Sequence, residues 1–131
     1  MADPAAPWHA HIYFTEADRP AAAALRDSFL RLAGTGGEPA ILFVGRMMAQ
    51  GVGPHPLPQF EIHFRERWLA AITDILEKSG LRALVHPLTD DDLADHTVNA
   101  RWLGEPVALD VTTLDPPGHN QGIPRFGVTE F

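Results

Sequence analysis

Two short stretches of this chain alternate so regularly that they leave little choice of local fold. In "WHAHIYF", residues 8 to 14, Trp8, Ala10, Ile12 and Phe14 fall on one side of an extended strand, and His9, His11 and Tyr13 on the other. In "QFEIHF", residues 59 to 64, Phe60, Ile62 and Phe64 fall on one side, and Gln59, Glu61 and His63 on the other. A period of two with one wholly apolar side describes strands that lean one face on a core. Their second faces carry imidazole, phenol and carboxylate, which an ordinary wet surface does not require.

The segments between and after these strands complete a pattern. Leu25, Phe29 and Leu32 recur at helical spacing after the first strand, with Asp18 and Pro20 suited to a start and Gly34 to a stop. "PAILFVGRM", residues 39 to 47, is a compact apolar run that predicts a strand. "MAQGVGPHPLP", residues 48 to 58, holds two Gly and three Pro and reads as a loop. A second helix is expected from about Arg65 to Ser79, burying Trp68, Leu69, Ile72, Ile75 and Leu76 and ending at Gly80. "LRALVHP", residues 81 to 87, is a fourth strand. The order βαββαβ is the ferredoxin-like arrangement, an α+β fold with two helices on one face of an antiparallel sheet. In that topology the first and third strands lie side by side at the centre, and the fourth flanks the first. Beyond it, short helices and a fifth short strand near Val107 to Val111 are expected.

With 131 residues, the chain reads as a single domain with its core in about 8–111 and an extended tail at 112–131. The tail is rich in Pro and Gly but carries Ile123, Phe126, Val128 and Phe131, so it is expected to be disordered or packed on a partner. A net charge of −7 argues against nucleic acid and anionic membrane as partners. With no cysteine, any metal must be held by imidazole, carboxylate, carbonyl or water. "MADPAAPW" has neither the basic start nor the apolar run of a signal peptide, so a cytoplasmic location is expected.

If the helices cover the apolar faces, the opposite face collects His9, His11 and Tyr13 from the first strand, and Glu61 and His63 from the third. The fourth strand adds His86, with Arg82 and Leu84 at the same parity. Neighbouring strands lie about 4.8 Å apart and same-face residues about 6.8 Å apart along a strand. Imidazoles and a carboxylate so placed can converge on one ion, and two histidines with a carboxylate are the set used by non-haem Fe(II) oxygenases. His9, His11, His86 and Glu61 are therefore the metal candidates. Each has a plainer reading. Glu61 alone suits a surface carboxylate or a partner for Arg46 or Arg82. His63 suits a structural or exposed position beside a helix start, His86 a strand end, and His55 a turn. His96 in "DDDLADHT" suits a helix surface tuned by Asp95, and His119 is incidental.

Three blocks, "HAHIYF" at 9–14, "VGRMMAQGVGPHPLPQFEIHF" at 44–64 and "LVHPLTDDDLADHTVNARWLG" at 84–104 followed by "LD", resemble the DOPA 4,5-dioxygenase family in their order and spacing. The resemblance runs from about His9 to Asp110. It implies a ferredoxin-like non-haem iron protein that opens a catechol ring by extradiol cleavage, with a small aromatic diol and O₂ as substrates. The histidines matching the family's motifs are His9, His11, His55, His86 and His96. The resemblance fixes no carboxylate at Glu61.

On this reading the cofactor is Fe(II), or zinc or another divalent ion as purified. His55, carried by a Pro- and Gly-bounded loop, is the first candidate for moving the catechol proton, and His96 the second. Tyr13 is placed to orient the substrate, and Arg46 and Arg82 to take a substrate carboxylate. Two other classes stay open: a non-catalytic ferredoxin-like module binding a small ligand, and a zinc-dependent hydrolase using the same histidines. A homodimer is also expected, because a single four-stranded sheet would leave one face uncovered.

Overall fold

The computed structural model describes residues 3–33, 39–51, 53–89 and 91–114. The apolar end of the tail, with His119, Ile123, Phe126, Val128 and Phe131, lies outside them. The strands are β1 (Pro7–Tyr13), β2 (Phe43–Val44), β3 (Gln59–Arg65), β4 (Ala83–Pro87) and β5 (Arg101–Leu103). The α-helices are α1 (Arg19–Ala33), α2 (Leu69–Ser79) and α3 (Asp92–His96), with single 3₁₀ turns at Glu66–Trp68 and Val111–Thr113. All pairings in the sheet are antiparallel, in the order β2-β3-β1-β4-β5. The α+β arrangement with β1 and β3 at the centre is the one the alternating stretches predict.

One side of the sheet carries the main core. Trp8, Ala10, Ile12 and Phe14 join Phe60, Ile62 and Phe64, and meet Phe29 of α1 and Leu69, Ile72 and Leu76 of α2. Phe29 and Phe60 are fully buried, with ring centroids 6.4 Å apart. Gly80 ends α2 in the left-handed region at φ 74°, with open space where a Cβ would stand. Its role is conformational rather than steric.

Two expectations need correction. The second strand is only Phe43–Val44, not 39–47. Val44 pairs with Ile62, but the next bridge joins Met48 to Gln59, where an unbroken register would bring Met47. One extra residue on the edge strand bends it out of the ladder, as a bulge does. The fifth strand is Arg101–Leu103, not 107–111. Gly104 turns the chain at φ 77°, and Asp110 N–H then donates to Pro54 O at 2.8 Å. The 107–110 segment thereby ties down the β2–β3 loop instead of extending the sheet.

Replacing Phe29 by Ala should destabilise the protein by about 3–5 kcal/mol, the usual cost of emptying a buried aromatic site. Chemical denaturation would read this; a loss below about 1 kcal/mol would mean that α1 does not seal the core as described.

Candidate metal centre and active site

The position of β1 between two antiparallel partners builds the site. His9 stands opposite His63 of β3 and His86 of β4, and His11 opposite Glu61 and Leu84. Alternation sends all of these side chains away from α1 and α2. His9, His11, His63 and His86 are 0 % exposed and Glu61 2 %. The loop between β2 and β3 then lays His55 over His11, with ring centroids 4.0 Å apart. α3, capped by the Asp91 carboxylate on Ala94 N–H, brings His96 to 4.2 Å from His86. Six imidazoles and one carboxylate share a nearly dry face.

Hydrogen bonds fix several of the ring protons. A carbonyl oxygen only accepts, so His86 Nδ1–H donates to Pro87 O and His96 Nδ1–H to Asp92 O, each at 2.8 Å. His11 Nδ1 is 3.1 Å from the Gln59 amide oxygen and donates to it. In its neutral form each of these rings turns an Nε2 lone pair toward its neighbours. His11 Nε2 and His86 Nε2 stand 3.1 Å apart. Burial, reinforced by the surrounding histidines, holds His11 well below its usual range, so a proton is a poor bridge between them.

Two such facing nitrogens are donors that could hold a divalent cation. Three overlapping triads have donor atoms within 4.8 Å of one another: His9, His11 and His86; His11, His55 and His96; and His9, Glu61 and His63. Neutral imidazoles with an adjacent carboxylate suit iron or zinc, so the donor set fits the ion that the sequence resemblance implies.

Glu61 is neither at the surface nor paired with Arg46 or Arg82. It accepts from His63 Nε2–H at 3.0 Å and belongs with His9 and His63, not with His11 and His86. His63, read from sequence as structural or exposed, is buried and stacks on His9 with ring centroids 3.5 Å apart. The alternation that singles out Glu61 selects His63 and Gln59 equally. His96 is not a surface residue, and it bonds to Asp92; Asp95 turns instead to Thr89 N–H and Oγ–H, both at 2.7 Å.

Tyr13 Oη lies 2.6 Å from His55 Nδ1, and burial pushes its phenol up so that it stays protonated. Burial, aided by His96, drives His55 down to about 3. Tyr13 also lines a pocket of about 420 Å³ with Leu57, Pro58 and Arg82. Arg46 is exposed and is not part of that pocket. Leu57, Val107, Leu109 and Trp102 pack with Tyr13 and Leu84 over this side of the sheet. The second face is thus covered within the chain, which removes the uncovered face as the ground for expecting a dimer. Among the described residues, no helix is long and apolar enough to cross a membrane.

A sequence profile of the Dopa 4,5-dioxygenase family matches residues 8–113. The chain belongs to that family. It is 37% identical over 113 residues to a DOPA 4,5-dioxygenase of Amanita muscaria, covering 82% of this chain and 49% of the relative. It is 32% identical over 83 residues to an uncharacterised 21.2 kDa protein of Botryotinia fuckeliana, covering 56% and 45% respectively. The chain therefore spans about half the length of the curated relatives it matches. A crystal structure described as "a putative dioxygenase" from Nostoc punctiforme aligns with a TM-score of 0.70 at 32% identity, covering 86% of this chain and 96% of that one. Every residue of the three triads lies within the family match.

Folding depresses the affinities of His11 and His55 for protons, so the unfolded chain binds more protons below about 6.5, the ordinary histidine value. The stabilisation is complete above that pH and is lost as pH falls from about 6.5 toward about 3. Thermal unfolding of metal-free protein should show a midpoint that drops between pH 7 and pH 5. A flat midpoint across that interval would contradict the burial of these two rings.

Proposed function

We propose that this domain is a non-haem Fe(II) dioxygenase that opens the ring of a catechol-type substrate with O₂ by extradiol cleavage. The observation that carries the reading is the pair of facing His11 and His86 Nε2 atoms, buried in a family whose named member is a DOPA 4,5-dioxygenase. His11 and His86 would hold the ion, with His9 as the third imidazole and Glu61 beside it. When bound, Fe(II) supplies a Lewis acid for the catechol oxygens and the electrons that activate O₂.

The chain's own residues do the rest. His55 is neutral at working pH because burial opposes its charging, so it offers a lone pair to a catechol hydroxyl, and the negative charge left on the diol would offset the cost of its taking that proton. Tyr13 holds that ring in place through Nδ1, and its hydroxyl can donate or accept there as the tautomer changes. The same histidine can therefore return a proton to the opened product. His96, with its Nδ1–H held by Asp92 O, presents only a lone pair and serves as the second base. Val107, Leu57 and Trp102 pack with Tyr13 and Leu84 on this face and would help to exclude water from these transfers. Arg82, at the pocket beside Tyr13, is placed to take a carboxylate on the substrate. Arg46 lies away from that pocket and is the weaker choice.

Fe(II)-loaded protein should consume O₂ with a substituted catechol and produce a yellow ring-opened semialdehyde. His11→Ala should abolish iron retention and turnover together. His55→Ala should keep iron but slow turnover by about 10² to 10⁴. Iron loss in His55→Ala would make it a ligand, and absence of O₂ uptake with every catechol, in protein shown to hold Fe(II), would contradict the proposal.

A further inference from the structure

Glu61 and His63 are left over from that reading, although they are buried more completely than many core residues. Desolvating a carboxylate is costly unless something in the site needs its charge. The surroundings are shaped for it. Gly45, beside Glu61 on the β2 side, donates its N–H to Glu61 O at 2.7 Å, and a Cβ on Gly45 would lie 2.9 Å from Glu61 Cγ. The missing side chain of Gly45 is the space in which the Glu61 side chain lies. On the other side, His63 Nε2–H donates to Oε2, and Phe43 packs on the His63 ring at 4.7 Å. Oε1 has no hydrogen-bond partner among the described residues.

His9 connects this cradle to the metal centre. His63 lies flat against it, 3.5 Å away and tilted by only 3°. Parallel rings direct their nitrogen lone pairs in parallel planes rather than toward a common point, which suits His63 as a brace and not as a fellow ligand. His9 Nδ1 lies 3.9 Å from Glu61 Oε2, beyond hydrogen-bond distance but near enough for a carboxylate's charge to favour a proton there, and His9 also offers a ring nitrogen to the group with His11 and His86.

We propose that Glu61, seated against Gly45 and held by His63, is the positioning carboxylate of His9: it keeps the proton on Nδ1 and directs Nε2 to the ion. A carboxylate behind a ligating imidazole fixes its tautomer and raises its basicity, and losing one lowers metal affinity by roughly 10- to 100-fold. Glu61 is thereby a partner of a ligand and not itself a ligand. The inference rests on the metal reading above but not on iron or on dioxygenase activity.

The test is Zn(II) affinity, measured by competition with a chelator, together with the visible spectrum of Co(II)-loaded protein. Glu61→Gln should bind one equivalent with affinity lowered roughly 10- to 100-fold, and the Co(II) band should shift without losing intensity, because the ligand count is unchanged. Gly45→Ala, which crowds the carboxylate without altering its chemistry, should weaken binding in the same direction. Equal affinity in Glu61→Gln and wild type would overturn the proposal while leaving the metal centre standing. Complete loss of binding, or a Co(II) band altered in intensity, would overturn it by making Glu61 a ligand. Failure of wild type to bind Zn(II) or Co(II) would remove both this proposal and the metal reading beneath it.

Discussion

The strand register of β1 against β3 and β4 is the constraint on which the site depends. A strand with partners on both sides has every residue of one parity facing the same way, so His9 and His11 cannot leave the face that His63, Glu61 and His86 also occupy. A slip of one residue would put Ala10 and Ile12 on the polar side and imidazoles among the aromatic core. The buried Phe60, Ile62 and Phe64 therefore hold the histidines in position from behind. Core packing and site geometry are two faces of one register.

Dryness gives that geometry its chemical consequence. Imidazoles in water would accept protons near their ordinary pKa and repel one another little. Here they are buried, Leu57, Val107, Leu109 and Trp102 pack with Tyr13 and Leu84 on the same side of the sheet, and the 107–110 segment fastens the His55 loop through Asp110 and Pro54. His11 and His55 are then held neutral. A face of this kind charges itself with difficulty and keeps nitrogen donors that could hold a cation. The same cover answers the problem of an exposed sheet face without a second copy of the chain.

The parts of this arrangement that are local in sequence were readable there. Period-two alternation gave the facing of His9, His11, Glu61 and His86, and the Gly80 stop and βαββαβ order placed their strands. The depth of the site was not readable, because burial comes from segments distant in sequence. Nothing in "DDDLADHT" says that His96 turns inward onto His86, since that depends on where β5 carries the chain. His63 reads as structural or exposed because a helix start follows it, whereas β2 covers it through Phe43. The short β2 and the displaced fifth strand share one cause: edge strands are set by bulges and turns at Gly45 to Met48 and Gly104, which hydrophobic runs do not report.

The central claim is that the buried histidine face is a metal centre organised around His11 and His86. Crystals of protein loaded with one equivalent of Fe(II) under anaerobic conditions, measured at the iron absorption edge, would test it most directly. The account predicts one strong anomalous peak within bonding distance of Nε2 of both His11 and His86. A peak held only by surface carboxylates, or no peak on this face, would contradict it.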